Sequence, residues 1–170
     1  MTSLQELAAT VDGLIEPLKA LGLLTTFLCG GIIGLERQLS GKPAGIRTST
    51  LICMGTYIFV VVGTPLAGSG GDPSRIVGQV ITGIGFLGAG VILTREGAVI
   101  GVTSAATIWV LAAIGALAGQ EKHLAAVISA LVTVGILVGV NLLETMFVQL
   151  QRGVHTRLKS LRRKHDDPGI

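Results

Sequence analysis

The sequence predicts an all-α integral membrane protein, a compact bundle of about five transmembrane helices preceded by a short amphipathic helix at the membrane surface. Three observations predict it. Of 170 residues, 49% are hydrophobic and only 14% charged, against about 25% charged in soluble domains. Five apolar segments of near-membrane length follow one another with short polar breaks, and a spanning helix needs roughly 20 such residues at about 1.5 Å rise each. Glycine supplies 25 residues. That load costs a soluble helix up to about 1 kcal/mol per interior position, but in lipid it lets helices approach closely.

The elements follow in order. Leu4, Leu7, Ala8, Val11, Leu14 and Ile15 recur at three- and four-residue spacing, with Gln5, Glu6, Asp12 and Glu16 opposite. Ser3 and Glu6 form a capping box at its start. Its polar face is acidic, so it lacks the attraction to anionic lipid of a basic surface helix; an extension of the first span is the alternative. Neither a basic start nor a small-residue cleavage site marks a removable signal. The spans are expected at 18–35, 46–66, 76–93, 103–119 and 124–147. Between them lie a loop with Gly41 and Pro43, a turn over 68–73, a short loop around 95–101 and a tight connection near Gln120. Residues 1–150 form one transmembrane domain and 151–170 a basic tail.

Lys and Arg beside the spans set orientation. One side collects Arg37, Lys42, Arg47, Arg95 and six tail residues (Arg152, Arg157, Lys159, Arg162, Arg163, Lys164), ten of the 13, and the other only Lys19, Arg75 and Lys122. The expectation is an N-terminus outside and a C-terminus in the cytoplasm. The tail serves orientation and anionic-lipid contact, or is simply solvated.

Polar residues in apolar surroundings mark the candidate site. Asp72 and Pro73 suit the cap and first turn of the third span. Capping does not explain Arg75 and Gln79, a cation and an amide one turn apart at the edge of hydrocarbon, where such groups are expensive. They either snorkel to the interface or line an internal polar site. Glu36 and Arg37 are adjacent at the end of the first span, with Arg47 across a loop; carboxylate and guanidinium there pair and fix the loop, or engage an ion or partner. Gly78, Thr82, Gly85 and Ala89 make a smooth face for helix contact, while Ile76, Val80, Ile84, Leu87 and Val91 face lipid, which places the third span centrally. Ser49, Cys53, Thr56 and Gly63 form a small, mildly polar stripe for packing. Gly135 and Gly139 form a Gly-x-x-x-Gly pair that serves internal packing or homo-oligomerisation.

Several classes are set aside. The run Gly83-x-Gly85-x-x-Gly88 matches a dinucleotide fingerprint by letter but lacks the preceding strand. Aromatics are 4% and no basic patch interleaves with them, so nucleic acid is not expected. His123, His155 and His165 have no ligand spacing or nucleophile partner, so neither an enzyme site, a metal nor a cofactor is expected. Cys29 and Cys53 sit in apolar runs and read as small hydrophobes.

The strings Gly34-Leu-Glu-Arg-Gln38, Pro43-Ala-Gly-Ile-Arg-Thr48, Asp72-Pro-Ser-Arg-Ile76, Gly83-Ile-Gly-Phe-Leu-Gly-Ala-Gly90 and Thr103-Ser-Ala-Ala-Thr-Ile-Trp109 occur in fixed order. Together they closely resemble the MgtC/SapB family of bacterial inner-membrane proteins, over about residues 20 to 145. The resemblance implies a multi-pass inner-membrane domain linked to low-magnesium adaptation and, in some bacteria, to survival inside host cells. It implies a non-enzymatic regulator that binds other membrane proteins, including the proton-driven ATP synthase. The family's polar motif positions fall on Glu36, Arg37, Arg47, Asp72, Arg75 and Gln79. Longer members carry a soluble C-terminal domain where this chain has a basic tail, and many have histidine where Ser49 stands. The competing class is transport, an oligomer passing Mg²⁺ or another ion near Asp72 and Glu36.

Overall fold

The computed structural model describes residues 18–66, 74–95 and 98–143. The amphipathic segment 4–16, Asp72 and Pro73, and the tail 151–170 lie outside them. Five helices are described: α1 (Ala20–Leu39), α2 (Ile46–Leu66), α3 (Ser74–Gly90), α4 (Val102–Gly119) and α5 (His123–Leu143). Contacts divide the chain into two units, 1–134 and 135–170.

Four helices are long and apolar enough to cross a membrane, over Ala20–Leu39, Ile46–Thr64, Val102–Gly119 and His123–Leu143. The chain is a multi-pass, all-α membrane protein. The expected third span is shorter than the other four: α3 has 17 residues, about 25 Å of helix against roughly 30 Å of hydrocarbon. It stops at Gly90, where the backbone tightens through Val91 N–H to Gly88 O (3.3 Å) and Ile92 N–H to Ala89 O (3.1 Å). What read as a loop around 95–101 is an antiparallel hairpin of β1 (Leu93–Arg95) and β2 (Ala98–Ile100), with Thr94 opposite Val99. Gly101 then turns the chain into α4 at φ +90°, its Cα facing the Val91 carbonyl so closely that no side chain fits.

Two helix ends share one device. After α1, Lys42 N–H bonds Arg37 O (2.9 Å) and Gly41 N–H bonds Gln38 O (3.2 Å), with Gly41 at φ +63°, a Schellman closure. After α4, Lys122 N–H bonds Leu117 O (2.9 Å) and Glu121 N–H bonds Ala118 O (3.0 Å). There the left-handed position is held by Glu121 at φ +62°. This is the tight connection expected near Gln120.

Within the first unit, α2 is the hub. It packs most extensively on α1 and then on α4, while α3 leans on α4 and meets α2 only lightly. The α1–α2–α4 core holds Cys29, Ile33, Cys53, Tyr57, Ile108, Leu111 and Ile114 beside buried Thr25, Thr26, Ser49, Thr56, Ser104 and Thr107. Most of these hydroxyls bond a nearby backbone carbonyl, as Thr26 does to Gly22 O (3.0 Å) and Thr107 to Thr103 O (2.8 Å). Large apolar side chains such as Leu21, Leu24, Phe27, Leu28 and Trp109 point outward. The interior thus mixes aliphatic residues and Tyr57 with small, mildly polar ones, while many large apolar side chains lie outside, where tails solvate leucine as well as a protein core does.

The expectation of a central third span is overturned. Gly88 is the one buried residue of α3 among those described. Ile76, Val80, Ile84 and Leu87, read as lipid-facing, instead turn toward α2, and Gly78, Thr82, Gly85 and Ala89 are exposed.

Candidate functional site

The α1–α2 seam is closed by glycine. A Cβ on Gly30 would stand 2.7 Å from Thr50 Cα, and one on Gly34 2.6 Å from Ile46 Cα, so the two backbones touch. At the end of this seam Glu36 and Arg37 are both buried, their side chains 9% and 3% exposed. Adjacent helix residues do not ordinarily face each other. Here both side chains fold to one side: Arg37 Nε donates to Glu36 Oε2 (2.5 Å) and Nη2 to Oε1 (2.9 Å), a two-pronged pair. Ser40 Oγ adds a bond to Glu36 Oε1 (2.8 Å). Both carboxylate oxygens are thereby engaged. Burying such a pair costs desolvation energy that good geometry offsets.

Arg47 does not join them. It is exposed and has no ion pair among the described residues. Its neighbours in the loop are held by Ser49 instead, whose Oγ donates to Ala44 O (2.6 Å). Thr50 Oγ1, beside the Gly30 contact, is buried with no hydrogen-bond partner among the described residues.

Arg75 and Gln79 lie at the far end of the first unit, since α2 runs away from Arg47 and α3 returns. They line a groove of about 910 Å³ between α2 and α3, whose walls include Phe59, Ile84 and Leu87. The six polar positions thus form no single site among the described residues. Glu36 and Arg37 make one cluster, Arg75 and Gln79 another, Arg47 stands apart, and Asp72 is not described.

A third polar cluster went unforeseen. Tyr57 lies over Gly22, accepts a bond from Lys19 N–H (2.8 Å) and donates to Lys19 O (3.1 Å). Lys19 Nζ pairs with Glu121 at 2.5 Å, and Thr25 Oγ1 lies 3.3 Å from His123 Nδ1. Lys19, Tyr57, Glu121 and His123 border a cavity of about 230 Å³. The hydrogen bond from Lys19 and its positive charge hold the Glu121 carboxyl below the usual range, against an opposing desolvation. Partners 102 residues apart leave no local signal in a sequence.

The glycines singled out for packing have other surroundings. No described atom comes within 4 Å of a Cβ built on Gly78, Gly85, Gly135 or Gly139. The close contacts fall at Gly30 and Gly34, and at Gly115 and Gly119 against Cys53 and Val60 of α2. Both pairs carry the same four-residue spacing that drew attention to Gly135 and Gly139, so the signal was present. Among the described residues, no three of His, Cys, Asp and Glu gather as metal ligands would.

The sequence profile of the MgtC family matches residues 23–146. Over 108 residues the chain is 47% identical to YhiD of Escherichia coli (strain K12), a proposed magnesium transporter, covering 59% of this chain and 50% of that one. Protein MgtC of Brucella abortus (strain 2308) is 45% identical over 97 residues, 57% of this chain and 40% of its own. An uncharacterized protein of Haemophilus influenzae is 40% identical over 151 residues, 84% of this chain and 60% of its own. The chain spans about half the length of the curated relatives it matches. No solved structure matches.

Proposed function

The chain belongs to the MgtC family, and from that premise we propose that it is a non-enzymatic regulator linked to low-magnesium adaptation, acting in the bacterial inner membrane by binding another integral membrane protein. The ATP synthase is the first candidate partner. The N-terminus lies in the periplasm and the basic tail in the cytoplasm, as the charge distribution favours. The observation that carries this reading is the state of Glu36. It is the one carboxylate within the described helices, and its two oxygens are taken by Arg37 and Ser40. Mg²⁺ wants oxygen ligands and parts with water reluctantly, so a neutralised, engaged carboxylate supports binding over conduction.

The α3 face of Gly78, Thr82, Gly85 and Ala89 supplies the docking surface. It is exposed, and small residues are what membrane helices use to approach each other. Gly85→Leu adds bulk where no described atom lies within 4 Å, so the chain itself tolerates it while a docked helix does not. The test is gentle-detergent affinity purification from membranes of magnesium-starved cells, with quantitative mass spectrometry of what co-purifies. Enrichment of the ATP synthase or another membrane complex, reduced about tenfold or more by Gly85→Leu as expected for a centrally packed contact, supports the regulator. Recovery of the wild-type chain with copies of itself alone contradicts it.

A further inference from the structure

The groove between α2 and α3 is built like a binding site for one membrane lipid. Its walls are apolar, and Phe59 and Leu87 are 67% and 50% exposed within it. Gly55 and Gly83 line it with no described atom within 4 Å of their missing side chains. Its mouth is polar: Arg75 sits in the first turn of α3, with Gln79 one turn further in. Arg75 has no hydrogen bond or ion pair to a described residue. A guanidinium with no partner among the described residues, at the boundary of hydrocarbon and beside an apolar slot, is placed to take an anion from outside the chain.

Dimensions decide what kind of occupant fits. Arg75 and Leu87 bound the groove, and the twelve residues of rise between them give about 18 Å. One leaflet of hydrocarbon is half of roughly 30 Å, or about 15 Å. The groove narrows where Ile76 reaches α2, with side-chain atoms 3.1 Å from where a Cβ on Gly63 would lie. The length matches the acyl chains of one leaflet, with a headgroup at the Arg75 end.

We propose that the α2–α3 groove holds the acyl chains of a phospholipid from the leaflet at the Arg75 end, with its phosphodiester on the Arg75 guanidinium and Gln79 donating to an ester or phosphate oxygen. The planar fork of arginine matches phosphate oxygens in pairs, and basic pockets between membrane helices bind lipid headgroups on the same principle. This occupancy is independent of the regulator reading and needs no partner protein.

The test uses the full chain in lipid nanodiscs doped with a phosphatidylglycerol that carries a photoactivatable diazirine in its acyl chain. In the wild type, labelling concentrates on peptides covering 51–59 and 80–87. A diacylglycerol with the same diazirine but no phosphate, or Arg75→Gln with the phospholipid probe, lowers it about tenfold, the loss of one charge-assisted contact. Gly55→Trp fills the slot and removes it. Labelling spread evenly over the outward residues of α1 overturns the proposal, as does labelling indifferent to the phosphate. Wild-type crosslinks joining the groove to another polypeptide also overturn it. The two wild-type arms decide the matter even where a variant fails to fold.

Discussion

The two seams that α2 makes with its neighbours differ in almost every respect although each contains glycines and one arginine. Toward α1 the glycines are filled by the opposing backbone, and Arg37 is buried and satisfied by its own neighbour. Toward α3, Gly55 and Gly83 face space, only Gly63 is met by an α3 side chain, and Arg75 is exposed at the mouth of a groove. The same residue types thus serve cohesion in one seam and recognition in the other. What separates them is whether the chain itself supplies the partner.

The sharpest way to break this contrast is to remove each arginine in turn. Arg37→Met strands Glu36 as a buried, unpaired carboxylate and should cost about 3–5 kcal/mol, read as loss of folded protein in detergent denaturation. Glu36→Gln in the same chain should recover most of it, because a neutral amide is far cheaper to bury than a charge. Arg75→Met should change stability by no more than about 0.5 kcal/mol. Equal losses would mean that both arginines are structural.

Next in size are the glycines. Gly34→Leu drives a side chain into Ile46 backbone and should destabilise by about 3 kcal/mol, the upper range for overpacking. Gly55→Leu, set in open space, should be close to neutral in the same assay. Tyr57→Phe removes the two bonds that fasten Lys19 and should cost about 1–2 kcal/mol, measured as a lower unfolding midpoint.

The smallest effect is electrostatic. Lys19 holds the Glu121 carboxyl below its ordinary value, so their pairing stabilises the fold at neutral pH. That contribution fades as pH falls through the lowered value and the carboxylate protonates. The melting temperature of Glu121→Gln should lie slightly below wild type at neutral pH, with the gap closing in acid. A gap that widens in acid would show that another group governs the end of α4.

Much of this was legible beforehand because membranes simplify the problem. Span positions follow from hydropathy, and the turns at Gly41 and near Gln120 from their breaks in apolar pattern. The facing of α3 was not legible, for a physical reason. When lipid is as good a neighbour as leucine, an apolar stripe does not say whether it meets protein or tails. For that reason Ile76, Val80 and Ile84 were read outward and turned inward. The hairpin at 93–100 was hidden by its shortness, three residues a strand. Of the candidate site, Arg75 and Gln79 one turn apart on one face was readable from spacing alone. That Arg37 rather than Arg47 completes Glu36 was not, because it depends on side-chain conformations within one helix turn.

The most direct test of the central claim, that this is a binding protein rather than a conduit, is Mg²⁺ uptake by liposomes containing the purified chain. With both Glu36 oxygens engaged by Arg37 and Ser40, uptake should equal that of empty liposomes across an imposed gradient. Sustained uptake that scales with protein, and that Glu36→Gln abolishes in a chain that still folds, would contradict it.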